Sequence, residues 1–287
     1  MPHVLGSSSD YYRGKIVLVS GAASGIGAAL TRLLLGVGCW VVATDIDIEG
    51  LGRMRASLDA DAQSRLSSSA LDVRERAAWD GVIEKTLAAH GRIDMLFNNA
   101  GVAAAGDALA MSVEHWKHLI DVNLWGVIHG SLACAPHMVE RGSGHIVNIA
   151  SMYGLFPAPF EAAYATTKHA VVGFTTSLRA ELAGQGVAVT AVCPGNVATP
   201  IWQKSPVIGV DREAALGLLP FKTIGVDEAA RETLTRVARN PALAVFPADA
   251  RLPWRLYRFW PDLLLRLSRP QVSAFRLLQK SYPLEKS

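Results

Sequence analysis

Residues 15–20 read Lys-Ile-Val-Leu-Val-Ser, a short apolar run rich in β-branched side chains, and the run stops at Gly21-Ala22-Ala23-Ser24-Gly25-Ile26-Gly27. An apolar stretch with helical periodicity follows from Ala28 to Val37. A strand, a glycine turn and a helix in that order form the context in which a glycine fingerprint holds a dinucleotide. Gly21 permits the tight turn, Gly25 lets backbone approach a pyrophosphate, and Gly27 lets helix and strand pack closely. The phosphates then sit on the helix N-terminus, beside Ser24 and Ile26, where unpaired N–H groups and the helix dipole favour anions. The bland alternative is an ordinary glycine-rich turn.

The next apolar run, Cys39 to Thr44, ends in Asp45, 18 residues after Gly27. That is close to the roughly 20 expected for the acidic residue that binds a ribose diol. A carboxylate there accepts from the 2′-hydroxyl and repels a 2′-phosphate, and no basic residue lies in 22–24 or directly after Asp45. The expectation is NAD in preference to NADP. Asp45 could instead cap the following helix, although Asp47 is equally placed for that task.

A second constellation lies near the middle of the chain. Tyr164 and Lys168 are four residues apart, and Ser151 lies 13 residues before Tyr164. Positions i and i+4 share a helix face, so the ammonium of Lys168 can lie beside the phenol of Tyr164. A free phenol, with a pKa near ~10, is a poor base at neutral pH. A neighbouring cation lowers that value. Ser151, on a separate segment, can hydrogen-bond the same substrate oxygen.

Together the glycine turn, spaced Gly-x-x-x-Gly-x-Gly, and the Ser151, Tyr164, Lys168 set resemble the short-chain dehydrogenase/reductase family, whose turn begins with Thr where this chain has Ser20. The resemblance covers residues 14–247 and implies further roles. Asp72 would pair with the adenine amino group and Val73 would contribute backbone; a helix cap is the alternative for Asp72. Asn98-Asn99-Ala100-Gly101 resembles the element that shapes the sheet end near the adenosine ribose, with Asn99, Ala100 and Gly101 at the cofactor. Asn123 falls where the family holds the water of a proton relay, Lys168 would also bind the nicotinamide ribose, and Pro194, Gly195, Val197 and Thr199 would flank the nicotinamide carboxamide. Ala150-Ser151 stands for the common Ser-Ser pair. Met152, Tyr153, Phe156 and Phe160 are candidates for the substrate pocket, the core or a dimer contact. The implied reaction is hydride transfer between NAD(H) and a secondary alcohol or ketone. A non-catalytic NAD sensor or scaffold is the alternative. A nucleotide-sugar epimerase is disfavoured by the glycine spacing.

The 287 residues are 50% hydrophobic and 18% charged, which suits one domain with a large core. Strands are expected at 15–20, 39–45, 68–72, 93–97, 144–150, 187–193 and 243–247, alternating with helices at 25–37, 47–58, 74–90, 112–140, 162–184 and 227–239. That alternation predicts an α/β Rossmann-type, doubly wound parallel sheet of seven strands with helices on both faces and a C-terminal helical extension. The domain should run over 14–250, after a flexible serine-rich tail at 1–13. The start lacks a signal-peptide pattern. Cys39, Cys134 and Cys193 show neither metal-ligand nor disulfide spacing, so a reducing, cytoplasmic compartment and no metal are expected.

Residues 201–225, with Trp202, Val207 and Ile208, are expected to form a mobile substrate lid, and its apolar content suggests a lipophilic alcohol or ketone. By resemblance, helices 112–140 and 162–184 form a homodimer or homotetramer interface. From Arg251 onward, eight basic residues face two acidic ones among Trp254, Tyr257, Phe259, Trp260 and several leucines. Such an extension either packs on its own domain, a partner subunit or the pocket, or lies on an anionic membrane surface. Prolines 253, 261 and 270 predict bends in it. No nucleic-acid module accompanies the charge.

Overall fold

The β-branched runs pair side by side in one parallel sheet. In the computed structural model, which describes residues 6–217 and 223–281, the strands are β1 (Ile16–Ser20), β2 (Trp40–Asp45), β3 (Leu66–Ala70), β4 (Met95–Asn98), β5 (Ala105–Gly106), β6 (Gly144–Ile149), β7 (Val187–Pro194), β8 (Val207–Ile208) and β9 (Leu243–Phe246). Seven of them form the main sheet in the order β3-β2-β1-β4-β6-β7-β9, with β5 and β8 paired apart. Every pairing is parallel. The order reverses between β1 and β4, which opens a crevice at their carboxyl ends.

Both faces of β1 are buried, as its unbroken apolar run requires. Val17 and Val19 point into a core shared with Leu30, Leu34 and Leu35 of helix Gly25–Gly36 and Leu234 of helix Val226–Val237. Leu18 points the other way, toward Trp79, Cys134 and Met138. A third core, around Met152, Phe156 and Tyr164, lies beside helix Ala162–Glu181.

Several expectations need correction. The third strand starts and ends two residues earlier than 68–72, because its outer side chains are exposed at the sheet edge and its apolar signal is weak. The helix expected over 47–58 is found at Ile48–Ala56, and a further short helix that was not expected, Ala60–Ser64, follows it, capped by Asp59. The serine-rich start is ordered earlier than expected. Ser9–Tyr12 is helical, and Tyr12 is fully buried with its hydroxyl donating to the Leu234 carbonyl at 2.6 Å. The two tyrosines supply the apolar area that the serines lack. The tail positions 1–5 lie outside the described residues.

The helix expected over 112–140 runs from Val113 to Glu140 with a π-turn at Asp121–Trp125. There the Gly126 N–H donates to the Asp121 carbonyl, five residues back. This turn carries Asn123. In the extension, bends fall at Trp260 and Ser268, whereas Pro253 lies inside helix Ala248–Phe259. As the sixth of its twelve residues, Pro253 lies past the first turn and forfeits one hydrogen bond of the helix ladder.

Candidate active site

The glycine turn is locked by close contacts that leave no room for side chains. Gly21 has φ +68, and a Cβ on it would lie 2.7 Å from the Cα of Ala100. A Cβ on Gly27 would lie 2.0 Å from the Gly21 carbonyl oxygen. Ser20 and Asn99 brace the turn from below. The Ser20 hydroxyl accepts from the N–H groups of Asn99 and Ala100 at 3.0 and 3.2 Å, and the Asn99 amide donates to the carbonyls of Ser20 and Gly21 at 2.9 and 3.0 Å. Helix Gly25–Gly36 starts here behind extended Ser24, which makes no side-chain cap. The first-turn N–H groups therefore remain available to an anion.

At the end of β2, Asp45 accepts from Ala23 N–H and Asp47 N–H, both at 2.9 Å. Asp47 caps the following helix by accepting from Gly50 N–H at 2.8 Å. Asp45 is therefore not the cap; it ties the glycine turn to the second strand. Beyond β3, Asp72 is clasped by Arg74, whose Nε lies 2.9 Å from one carboxylate oxygen and whose Nη2 lies 2.5 Å from the other. That guanidinium holds the Asp72 carboxyl below its ordinary range. Helix Arg76–His90 begins later, with Glu75 at its N-cap.

These groups border one cleft of about 470 Å³. Gly21, Ser24, Gly25, Ile26 and Asp45 line one side of it. Asp72, Val73, Asn99, Ala100 and Gly101 line it as well, and so do Pro194, Gly195, Val197 and Thr199. Ser151, Tyr164 and Lys168 close its inner end. Gly27 and Asn123 do not line it. Gly27 packs beneath the turn, and Asn123 is fully buried behind Gly101.

At the inner end Tyr164, Lys168 and Ser151 are buried. The Lys168 ammonium lies 5.6 Å from the centroid of the Tyr164 ring and donates to the Ile149 carbonyl at 2.9 Å. Burial pulls Lys168 down to about 8. Burial also raises Tyr164 above the ordinary phenol value, Glu161 raises it further, and a hydrogen bond with Ser151 opposes both. The expected lowering of the phenol by Lys168 is thus not found, because the ammonium is turned to the backbone of β6. Asn123 accepts from Val102 N–H at 2.8 Å and donates to the Val102 carbonyl and the Thr167 hydroxyl at 2.9 and 3.1 Å.

Of the pocket candidates, Met152, Tyr153 and Phe156 are core residues, and Phe160 stacks on Phe275 of the C-terminal extension at 3.6 Å. The outer wall is built instead by Ile201, Lys204, Ser205 and Pro206 from the expected lid. Positions 218–222 of that lid lie outside the described residues. Sequence reasoning also missed Arg74 and His118, which reach the cleft from the segments after β3 and before the π-turn. Asn98 does more than end β4. Its amide donates to Asn148 and Ser131 at 2.8 and 3.0 Å, a buried network that ties β4 to β6. Among the described residues, no group of three His, Cys, Asp or Glu is placed to hold a metal.

The short chain dehydrogenase family profile matches residues 15–206. The chain belongs to the short-chain dehydrogenase/reductase family. Its activity class is that of an NAD(P)-binding oxidoreductase. This short-chain dehydrogenase/reductase is 36% identical to a 3-oxoacyl-[acyl-carrier-protein] reductase of Thermotoga maritima, over 79% of this chain and 91% of that one. It superposes on a short-chain dehydrogenase/reductase from Burkholderia phymatum in complex with NAD with a TM-score of 0.80 and 30% identity, covering 88% of this chain and 95% of the other. ElxO with NADP bound matches with a TM-score of 0.70 and 27% identity, over 81% and 95% of the two chains. Solved relatives therefore hold either cofactor.

Proposed function

We propose that this chain is an NAD-preferring dehydrogenase/reductase that interconverts a lipophilic secondary alcohol and its ketone. The observation that carries the reading is the convergence of buried Ser151, Tyr164 and Lys168 on one cleft that the glycine turn and Asp45 also line. The cleft suits a dinucleotide. It is lined by a turn in which Gly21 and Gly27 leave no room for a Cβ, it meets a free helix N-terminus, and Asp45 offers a carboxylate where a ribose diol would lie. In this reading Gly21, Ser24, Gly25 and Ile26 hold the pyrophosphate, and Asp72 and Val73 hold the adenine. Asn99 to Gly101 border the ribose, and Pro194, Gly195, Val197 and Thr199 border the nicotinamide. When bound, the nicotinamide supplies the hydride chemistry.

The protein's own part is proton transfer and charge stabilisation. Burial keeps the Tyr164 phenol protonated, which suits donation to a ketone oxygen; in oxidation the same oxygen takes the alcohol proton. The Ser151 hydroxyl donates to the substrate oxygen and stabilises its developing charge. Lys168, pulled down to about 8, can exchange protons near neutral pH and so serve a relay through Asn123. Trp202, whose ring centroid lies 6.3 Å from that of Tyr164, and the cleft-lining Ile201 and Pro206 support an apolar substrate. Trp125 at the end of the π-turn and Leu132 of helix Gly126–Glu140, 48 and 44% exposed, support a homodimer through this segment. The test is turnover on alcohols and ketones from polar to lipophilic, with NAD and NADP in parallel. Tyr164, which belongs to the cofactor-binding set as well as the catalytic one in this reading, loses only its hydroxyl in Tyr164→Phe; the change should abolish turnover and leave NAD affinity within about twofold. Substantial residual activity in that variant would defeat the assignment.

A further inference from the structure

The three C-terminal helices, Ala248–Phe259, Pro261–Leu267 and Arg269–Ser281, divide their side chains between two faces. Ala250, Trp254, Tyr257 and Leu264 pack inward on the core that contains Phe156 and Tyr164. The last helix is pinned by Phe275, only 4% exposed and stacked on Phe160, and by an ion pair between Arg276 and Asp107. Asp107 follows β5, and the Ala105 N–H donates to the carbonyl of Pro206, a residue of the cleft's outer wall. The extension is therefore seated on the domain beside the mouth of the cleft.

Among the described residues, nothing covers its opposite face. Leu252, Arg255 and Phe259 recur at i, i+3 and i+7, one stripe of a helix, and the stripe continues into Trp260, Leu263 and Leu267. Leu252, Phe259, Trp260 and Leu267 are 72, 68, 61 and 61% exposed. Four exposed arginines, at 255, 258, 266 and 269, border the apolar side chains, with Asp262 the single acid between 251 and 281. None of the described helices is long and apolar enough to cross a membrane. Aromatic and leucine side chains ringed by arginine suit a helix lying in the plane of a bilayer interface. A second copy of the same face would set arginine against arginine across a two-fold axis, whereas an anionic lipid surface complements it.

We propose that the extension is an interfacial anchor. Phe259, Trp260, Leu263 and Leu267 enter the headgroup region of a bilayer, and the arginines pair with anionic lipid. The cleft mouth is thereby held close to the membrane surface. The proposal does not depend on the identity of the substrate.

The test is co-sedimentation of the full chain with phosphatidylcholine vesicles, with and without phosphatidylglycerol, over a range of salt. Binding should require phosphatidylglycerol and weaken as salt rises. Each arginine near the surface contributes roughly a fivefold factor, so Arg255→Gln with Arg258→Gln should weaken binding about 30-fold. Trp260→Ser with Leu263→Ser should lose binding as well, and both variants should keep the wild-type circular dichroism melt and cofactor affinity. No binding to phosphatidylglycerol vesicles at low salt, or equal binding by the arginine variant, would overturn the proposal. So would wild-type self-association that the serine variant abolishes and the arginine variant leaves intact.

Discussion

Glu161 offers a quantitative test of how the inner end of the cleft is built. It lies just before helix Ala162–Glu181, is 6% exposed, and its Oε2 has no hydrogen-bond partner among the described residues. Burial pushes its carboxyl from 4.5 up to about 8. Because the folded value is raised, the folded state holds the proton more tightly. The stability this contributes is fully present below the unfolded value of 4.5 and is lost as pH rises through about 8. Between the acid and alkaline limits the difference is on the order of 5 kcal/mol. Between about pH 6 and about pH 9 it is roughly 2–3 kcal/mol. Glu161→Gln keeps the shape and removes the ionisation. Its unfolding free energy, followed by circular dichroism in urea, should gain on that of the wild type by this amount over the same pH range. The two pH profiles running parallel would refute the assignment of a buried, proton-holding carboxyl at Glu161.

Two further outcomes follow from the cofactor end. Gly27→Ala forces a methyl within 2.0 Å of a backbone oxygen; overpacking of this kind costs about 1–3 kcal/mol, and displacement of the turn should weaken NAD binding more than about tenfold by titration calorimetry. Gly81→Ala, where nothing lies within 4 Å, should instead stabilise its helix by about 1 kcal/mol, so equal behaviour of the two alanines would contradict the packing argument. Asp45→Asn keeps an acceptor for the glycine turn but removes the charge, and it should shift the NAD/NADP ratio of kcat/KM toward NADP by at least about tenfold; an unchanged ratio would remove that role from Asp45.

The parts of the fold that were legible in the chain are those where one local signal sufficed. The buried run before Gly21 and the periodicity after it mark β1 and its helix, and five further apolar runs mark the rest of the main sheet except β3, whose serines at 67–69 carry no apolar pattern and leave it two residues out of place. The spacing of Ser151, Tyr164 and Lys168 brought those side chains to one end of the cleft. What was not legible depends on partners distant in sequence. Tyr12 is ordered by Leu234, 222 residues away. The β5–β8 pair contains two residues per strand, too few to carry a pattern. Arg74 reads as an ordinary surface cation until Asp72 and the end of β3 aim it at the cleft. Lys168 sits on the expected helix face, yet its ammonium turns to the Ile149 carbonyl, and helix spacing contains no information about that choice.

The π-turn in the long helix has a consequence for how this segment can change. An α-helix advances about 100° per residue, so one surplus residue rotates everything downstream by that angle. Upstream, Trp116 and Leu119 meet the core around Phe156; downstream, Ala133, Cys134 and Met138 meet the core around Trp79. A single-residue deletion between Asp121 and Trp125 would restore a regular helix and carry one of these stripes out of its core. Between those two positions residue count itself is the specification, as in a reading frame, and a deletion there does damage that no choice of side chain repairs.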